Sequence, residues 1–198
     1  MEGLMFKDLG TIFIASAIIN NFVFSRYLGL CIFFGVTKKM ETALGMSMTF
    51  TAVMVISSAL SWIVYKLVML PLSLGFLKIV VFIGIVAGFV QGADIVLKKL
   101  NPALYYKLGI YLVLITTNCI ILAVPVISSD EKYNFMQALT LGLGSGAGFS
   151  LALIIMASIR ERLELANVPK PFQGMPIAFI VTGLIALAFL GFSGLIAV

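Results

Sequence analysis

The run from Leu9 to Thr37 reads LGTIFIASAIINNFVFSRYLGLCIFFGVT, 29 residues with a single charge, Arg26. As one straight helix it would measure about 43 Å at 1.5 Å per residue. That is too long for an untilted crossing of a hydrocarbon core about 30 Å thick. Arg26 and Gly29 offer a natural place for a break. The stretch therefore reads as a first helix, an interruption, and a half-helix from about Leu30 to Thr37 that returns to the membrane face. Cys31 would begin that half-helix, deep in the membrane.

Working outward, charge-poor runs recur at Thr42–Tyr65, about Leu70–Leu97, Leu108–Ser129, about Tyr133–Ile159 and about Met175–Val198. Each is long enough to cross a bilayer, and the connections are too short to fold independently. The composition agrees. Hydrophobic residues make up 62% of the 198 positions and charged residues 11%, and the mean hydropathy is +1.17. Soluble domains average about 45–50% apolar and about 25% charged residues. A soluble domain, a disordered tail and a disulfide scaffold are excluded. The expected fold is an all-α polytopic membrane protein of six transmembrane helices in one integral membrane domain, residues 1–198. The N-terminus lacks a basic n-region and its apolar stretch is too long for a signal peptide, so it counts as span one.

The net charge of +5 points to topology rather than to nucleic acid, because the basic residues sit in short loops. Lys38, Lys39, Lys98, Lys99, Lys107, Arg160, Arg162 and Lys170 fall on one side. Lys7, Lys66, Lys78 and Lys132 fall on the other. Eight against four puts loops one, three and five in the cytoplasm and both termini outside. Six spans divide into two sets of three, repeat one about 1–100 and repeat two about 101–198. A duplicated unit with an odd number of spans would return inverted, and such repeats hold their sites near the midplane, often on broken helices. The internal signal is small: Ala43-Leu44 echoes Ala138-Leu139, and spans one and four each carry one Cys.

Those two cysteines, Cys31 and Cys119, are the residues with redox or metal chemistry available; there is no His. A lone Cys in a helix usually packs as a small apolar residue, and spacing alone favours that role. Two thiolates cannot complete a four-ligand metal or iron–sulfur site. If they bind a cluster, another chain brings the other two ligands. Polar residues lie nearby: Asn20-Asn21 in span one, and Thr116-Thr117-Asn118 before Cys119. Helix–helix hydrogen bonding and a ligand shell explain them equally well. Arg26, the basic residue deep in a span, is a functional candidate by default, with snorkelling or an outward loop at the helix break as the alternative. The glycines at 142, 144, 146 and 148 lack the Lys of a nucleotide loop and read as close helix packing. Arg160 and Arg162 read as part of a solvated cytoplasmic loop. Architecture alone fits a secondary transporter with inverted repeats, or a structural anchor, equally well. Either would tolerate Cys-to-Ser at both positions; an electron-transfer protein would not.

Several stretches taken together carry a resemblance: Asn20-Asn21-Phe22-Val23, Leu28-Gly29-Leu30-Cys31, Gly35-Val36-Thr37-Lys38-Lys39-Met40-Glu41-Thr42-Ala43, Leu114-Ile115-Thr116-Thr117-Asn118-Cys119, Ile159-Arg160-Glu161-Arg162-Leu163, Val168-Pro169-Lys170-Pro171-Phe172-Gln173-Gly174 and Gly191-Phe192-Ser193-Gly194-Leu195. The chain resembles the RnfA/NqrE family over essentially its whole length. Around both cysteines it is also similar to the NqrE-like subunit of sodium-translocating NADH:quinone reductase; the Pro-Phe-Gln-Gly loop is closer to the Rnf branch. The resemblance implies six helices as two inverted repeats with broken helices in spans one and four. It implies a subunit of an ion-translocating ferredoxin:NAD oxidoreductase in the bacterial inner membrane, coupled to Na⁺ or H⁺ transport. It implies that Cys31 and Cys119 ligate an iron–sulfur cluster, 2Fe-2S in type, shared with an RnfE-like subunit in opposite orientation. Gly29, Leu30, Thr117 and Asn118 would surround that cluster. The other Rnf proteins, B, C, D and G, would be partners, membrane lipid would surround the chain, and no flavin, nicotinamide or nucleic acid would bind to it.

Overall fold

The computed structural model describes residues 9–72, 77–100, 115 and 118–192. Among them there are helices, turns and no strand. Helix α1 is Leu9–Ile19. Its last turn, Ala15–Ile19, widens into a π-helix, and Asn20 N–H donates to Ala15 O at 2.6 Å. The chain then leaves helical geometry until α2, Leu30–Val36. Residues 20–29 are the interruption that the length of the first run demands. The long helix α3, Met40–Val64, continues through a π turn, Tyr65–Met69, into Leu70–Leu72. After it come α4, Lys78–Leu100, α5, Cys119–Asp130, α6, Phe135–Leu165, and α7, Met175–Leu190.

Among the described residues, two helices are individually long and apolar enough to cross a membrane, Met40–Met69 and Phe135–Leu165. The apolar helices Leu9–Ile19, Lys78–Gly92, Cys119–Asp130 and Met175–Leu190 are shorter. Boundaries move relative to the sequence reading: α6 runs on to Leu165 rather than ending near Ile159, and the larger shift is at Lys66. A lysine between two apolar runs reads as a connection, which puts Lys66 in the loop after span two and starts span three near Leu70. The helix instead runs past it to Leu72, and α4 starts at Lys78. Lys66 needs no loop, because its ammonium lies 4.8 Å from the centre of the Trp62 ring. A long basic side chain near a helix end reaches polar surroundings while its stem stays apolar. The first half of span four lies mostly outside the described residues.

Helices α3 and α6 form the spine. Phe50 and Phe149 stack with ring centres 4.0 Å apart. Ser58 Oγ donates to Ala138 O at 2.8 Å, and Trp62 Nε1 donates to Tyr133 O at 2.8 Å. The glycines of α6 make the close approach possible. A Cβ on Gly142 would stand 3.0 Å from Ser58 Cβ, and one on Gly146 2.9 Å from Thr51 Cγ2, both on α3. A Cβ on Gly148 would stand 2.7 Å from Ala17 O of α1. Glycines four apart share a helix face, so one pair serves α3 and the other, Gly144 and Gly148, serves α1.

Around this spine the element order repeats. A cysteine-bearing half-helix leads to a long helix and then to a third: α2–α3–α4, and α5–α6–α7. The buried core joins both triplets, with Phe24, Ile32, Phe33, Met46, Phe50, Ile120, Ile121 and Leu153 all closed to solvent.

Candidate functional site

The two breaks are built differently and meet. At the first, Gly29 takes a left-handed conformation, φ 74°, which glycine adopts without a Cβ penalty. Tyr27 two residues earlier is also left-handed, φ 55°, a costly state for a bulky residue. Phe33 N–H donates to Gly29 O at 3.1 Å and starts α2. At the second break, Asn118 is the N-cap of α5. Its side-chain oxygen accepts from Ile120 N–H at 2.8 Å, the usual service of Asn at this position.

Cys31 is the second residue of α2 and Cys119 the first of α5. Gly29 N–H donates to Cys119 Sγ at 3.2 Å, across 90 residues of sequence. A Cβ on Gly29 would lie 2.6 Å from Ile120 Cδ1 and 3.4 Å from Asn118 Oδ1. The missing side chain is what lets one break lie on the other. Both thiols are free and exposed, whereas Ile32, Phe33, Ile120 and Ile121 beside them are fully buried. The half-helices therefore turn their apolar faces inward and present sulfur outward.

The donor set fits half of a four-thiolate site. Among the described residues no group of three or more His, Cys, Asp or Glu could hold a metal. Asn118 is 2% exposed, yet its Nδ2 has no hydrogen-bond partner among the described residues. A buried amide donor without an acceptor is costly, and this one belongs to the residue next to Cys119. Leu30 is half-buried beside Cys31. Thr117, and with it Thr116, lies outside the described residues.

The remaining polar candidates separate into two groups. Asn21 is helix glue: its Nδ2 donates to Ala17 O at 3.1 Å and to Gly148 O at 2.8 Å, and its Oδ1 accepts from Val23 N–H at 3.0 Å. Asn20 and Arg26 instead line a cavity of about 130 Å³ together with Glu131 and Tyr133. Arg26 also stands over the Phe22 ring at 5.7 Å.

At the far end of α2, Arg160 departs from the solvated-loop reading. It is half-buried, and its Nη1 donates to Phe34 O at 2.8 Å and to Thr37 Oγ1 at 3.0 Å. No local pattern could have found this contact, since 126 residues separate Arg160 from Phe34. Arg162 is exposed, but like Arg160 it lies on α6, which runs to Leu165 rather than ending near Ile159.

Comparison with known proteins gives consistent relatives. The chain is 53% identical over 188 residues to the A component of the proton-translocating ferredoxin:NAD(+) oxidoreductase complex of Clostridium ljungdahlii, covering 95% of this chain and 97% of the relative. It is 48% identical over 184 residues to the A component of the Na(+)-translocating ferredoxin:NAD(+) oxidoreductase complex of Acetobacterium woodii, covering 93% and 96%. It is 47% identical over 190 residues to the A component of the ion-translocating oxidoreductase complex of Syntrophotalea carbinolica, covering 96% and 98%. The model of the Rnf-Nqr subunit membrane proteins matches residues 9–196, and the chain belongs to that family.

Proposed function

We propose that this chain is the membrane subunit of an ion-translocating ferredoxin:NAD oxidoreductase in which Cys31 and Cys119 supply two of four thiolates to an iron–sulfur centre of the 2Fe-2S type. An RnfE-like subunit of opposite orientation supplies the other two. The reading also takes six spans as two inverted repeats, an inner-membrane location, and the B, C, D and G proteins of the complex as neighbours.

The observation that supports it is the Gly29–Cys119 contact, which joins the two breaks beside two exposed thiols. Such a centre supplies one-electron redox chemistry within the membrane. The chain's own residues do the rest. The thiolates bind. Gly29 N–H stabilises negative charge on the Cys119 sulfur, and hydrogen bonds to sulfur are one lever on potential. Ile32, Phe33, Ile120 and Ile121 keep water from the inner side. Negative charge in such low-dielectric surroundings is costly when unpaired, so a cation drawn close offsets it, which is the basis of coupling in this reading. The Clostridium and Acetobacterium relatives are named for H⁺ and Na⁺ respectively, although each is about half identical to this chain.

Cys31→Ser and Cys119→Ser, made separately in the assembled complex, test the reading. Serine oxygen is a harder and poorer donor for this iron, while the change costs little packing. Each variant should assemble, lose the EPR signal and iron of the centre, and lose ferredoxin–NAD electron transfer. A variant complex that keeps centre and turnover would return both cysteines to packing. It would also leave a secondary transporter as the better account of the fold.

A further inference from the structure

Helix α2 is only seven residues, Leu30–Val36. Helices this short are marginal on their own, so what holds its ends decides where Cys31 sits. Its N-terminal end rests on Gly29 and Cys119. Its C-terminal end leaves carbonyls without intrahelical donors. One of them, Phe34 O, accepts from Arg160 Nη1 at 2.8 Å. The same nitrogen donates to Thr37 Oγ1 at 3.0 Å. Thr37 is fully buried and donates its own hydroxyl to Phe33 O at 2.8 Å. The next residue of α6 acts on the following helix: Met40 N–H donates to Glu161 Oε1 at 3.3 Å. A cation thus sits at the C-terminus of α2 and an anion at the N-terminus of α3, each the sign that the helix dipole favours.

We propose that Arg160 is a positioning residue that pins the C-terminal end of α2 to α6 and thereby fixes Cys31 at the candidate redox centre. The pin itself stands on geometry; its link to the centre rests on the function proposed above. Hydrogen bonds from a charged donor are stronger than neutral ones. Loss of this one should free the last turn of α2 without touching either sulfur.

The test uses the assembled complex and two readouts on the same samples. In hydrogen–deuterium exchange, Arg160→Ala should speed exchange of the 33–37 amides about tenfold or more. Arg160→Lys, which keeps one donor, should fall between it and the unsubstituted complex. Arg162→Ala should change nothing. In EPR, Arg160→Ala should broaden the signal of the centre and shift its midpoint potential, with Arg162→Ala again silent. If Arg160→Ala does not assemble, Arg160→Lys, which leaves Thr37 and its own bond to Phe33 O intact, carries both measurements with the same expected direction. Native exchange of 33–37 with an unaltered signal in the tested variant overturns the proposal. So does an equal effect from Arg162→Ala. An unsubstituted complex without any such EPR signal would sink the function proposed above, while the exchange measurement still decides the pin.

Discussion

Gly29 is the residue on which the site turns. It does three things that no other residue type does together at this position. It holds φ 74°, it leaves room for Ile120, and it points its amide at Cys119 Sγ. Gly29→Ala would meet Ile120 Cδ1 at 2.6 Å in a backbone state that costs an L-residue about 1–3 kcal/mol. The break would relax by moving α2 off α5, and the amide would leave the sulfur. The expected outcome is a complex with lower yield and a weakened or shifted EPR signal, measured against the unsubstituted complex. Native yield and an unchanged signal would mean that the contact does not shape the site. In the sequence Gly29 is legible as a place to break a helix, because the run is too long for one. Its amide as a sulfur donor is not, since the partner lies 90 residues away.

Among the elements, α6 makes the sharpest contrast between glycines that are used and one that is not. Gly148 faces the backbone of α1, with Ala17 O 2.7 Å and Ala17 Cα 3.1 Å from where a Cβ would stand. Backbone cannot rotate aside as a flexible side chain can. The same glycine's carbonyl accepts from Asn21 at 2.8 Å, so a push between the helices also strains that bond. Gly148→Ala should destabilise the chain by about 1–3 kcal/mol, the usual range for overpacking. Gly183 in α7 has nothing among the described residues within 4 Å of its Cβ position, and Gly183→Ala should be tolerated. Thermal stability of the two purified variants, followed by a fluorescence-detected aggregation assay, checks the pair. Equal behaviour would show that the α6–α1 approach has slack. The small-residue run is legible as packing because glycines in an apolar span without a nearby Lys have few other uses. Its two faces are not, because assigning them requires knowing that both α1 and α3 lie against α6.

For the molecule as a whole, charge and length decide what is legible. A run that overshoots the bilayer announces a break near Arg26 and Gly29, although the interruption already begins at residue 20; two cysteines alone favour packing, and only the resemblance makes them half of a shared site. Lys66 misleads because a lone lysine reads as a loop, whereas its ring contact with Trp62 lets the helix continue. Arg160 reads as a solvated charge by the same logic and is half-buried. Single charges are ambiguous; their sum over loops is not, and the eight-to-four distribution of Lys and Arg remains the argument for orientation. On that argument the loop 166–174 is expected in the cytoplasm and the turn at 131–134 outside. Both segments are exposed, at Gln173 and at Lys132, so each can be probed without disturbing the core. In a chain carrying Cys31→Ser and Cys119→Ser, a single Lys132→Cys should react with a membrane-impermeant maleimide added to the periplasmic face of intact cells. A single Gln173→Cys should react after the membrane is opened and not before. The reverse pattern would invert the chain, and with it the opposed pairing with an RnfE-like subunit. Reaction of both from outside would remove α6 from the set of membrane crossings.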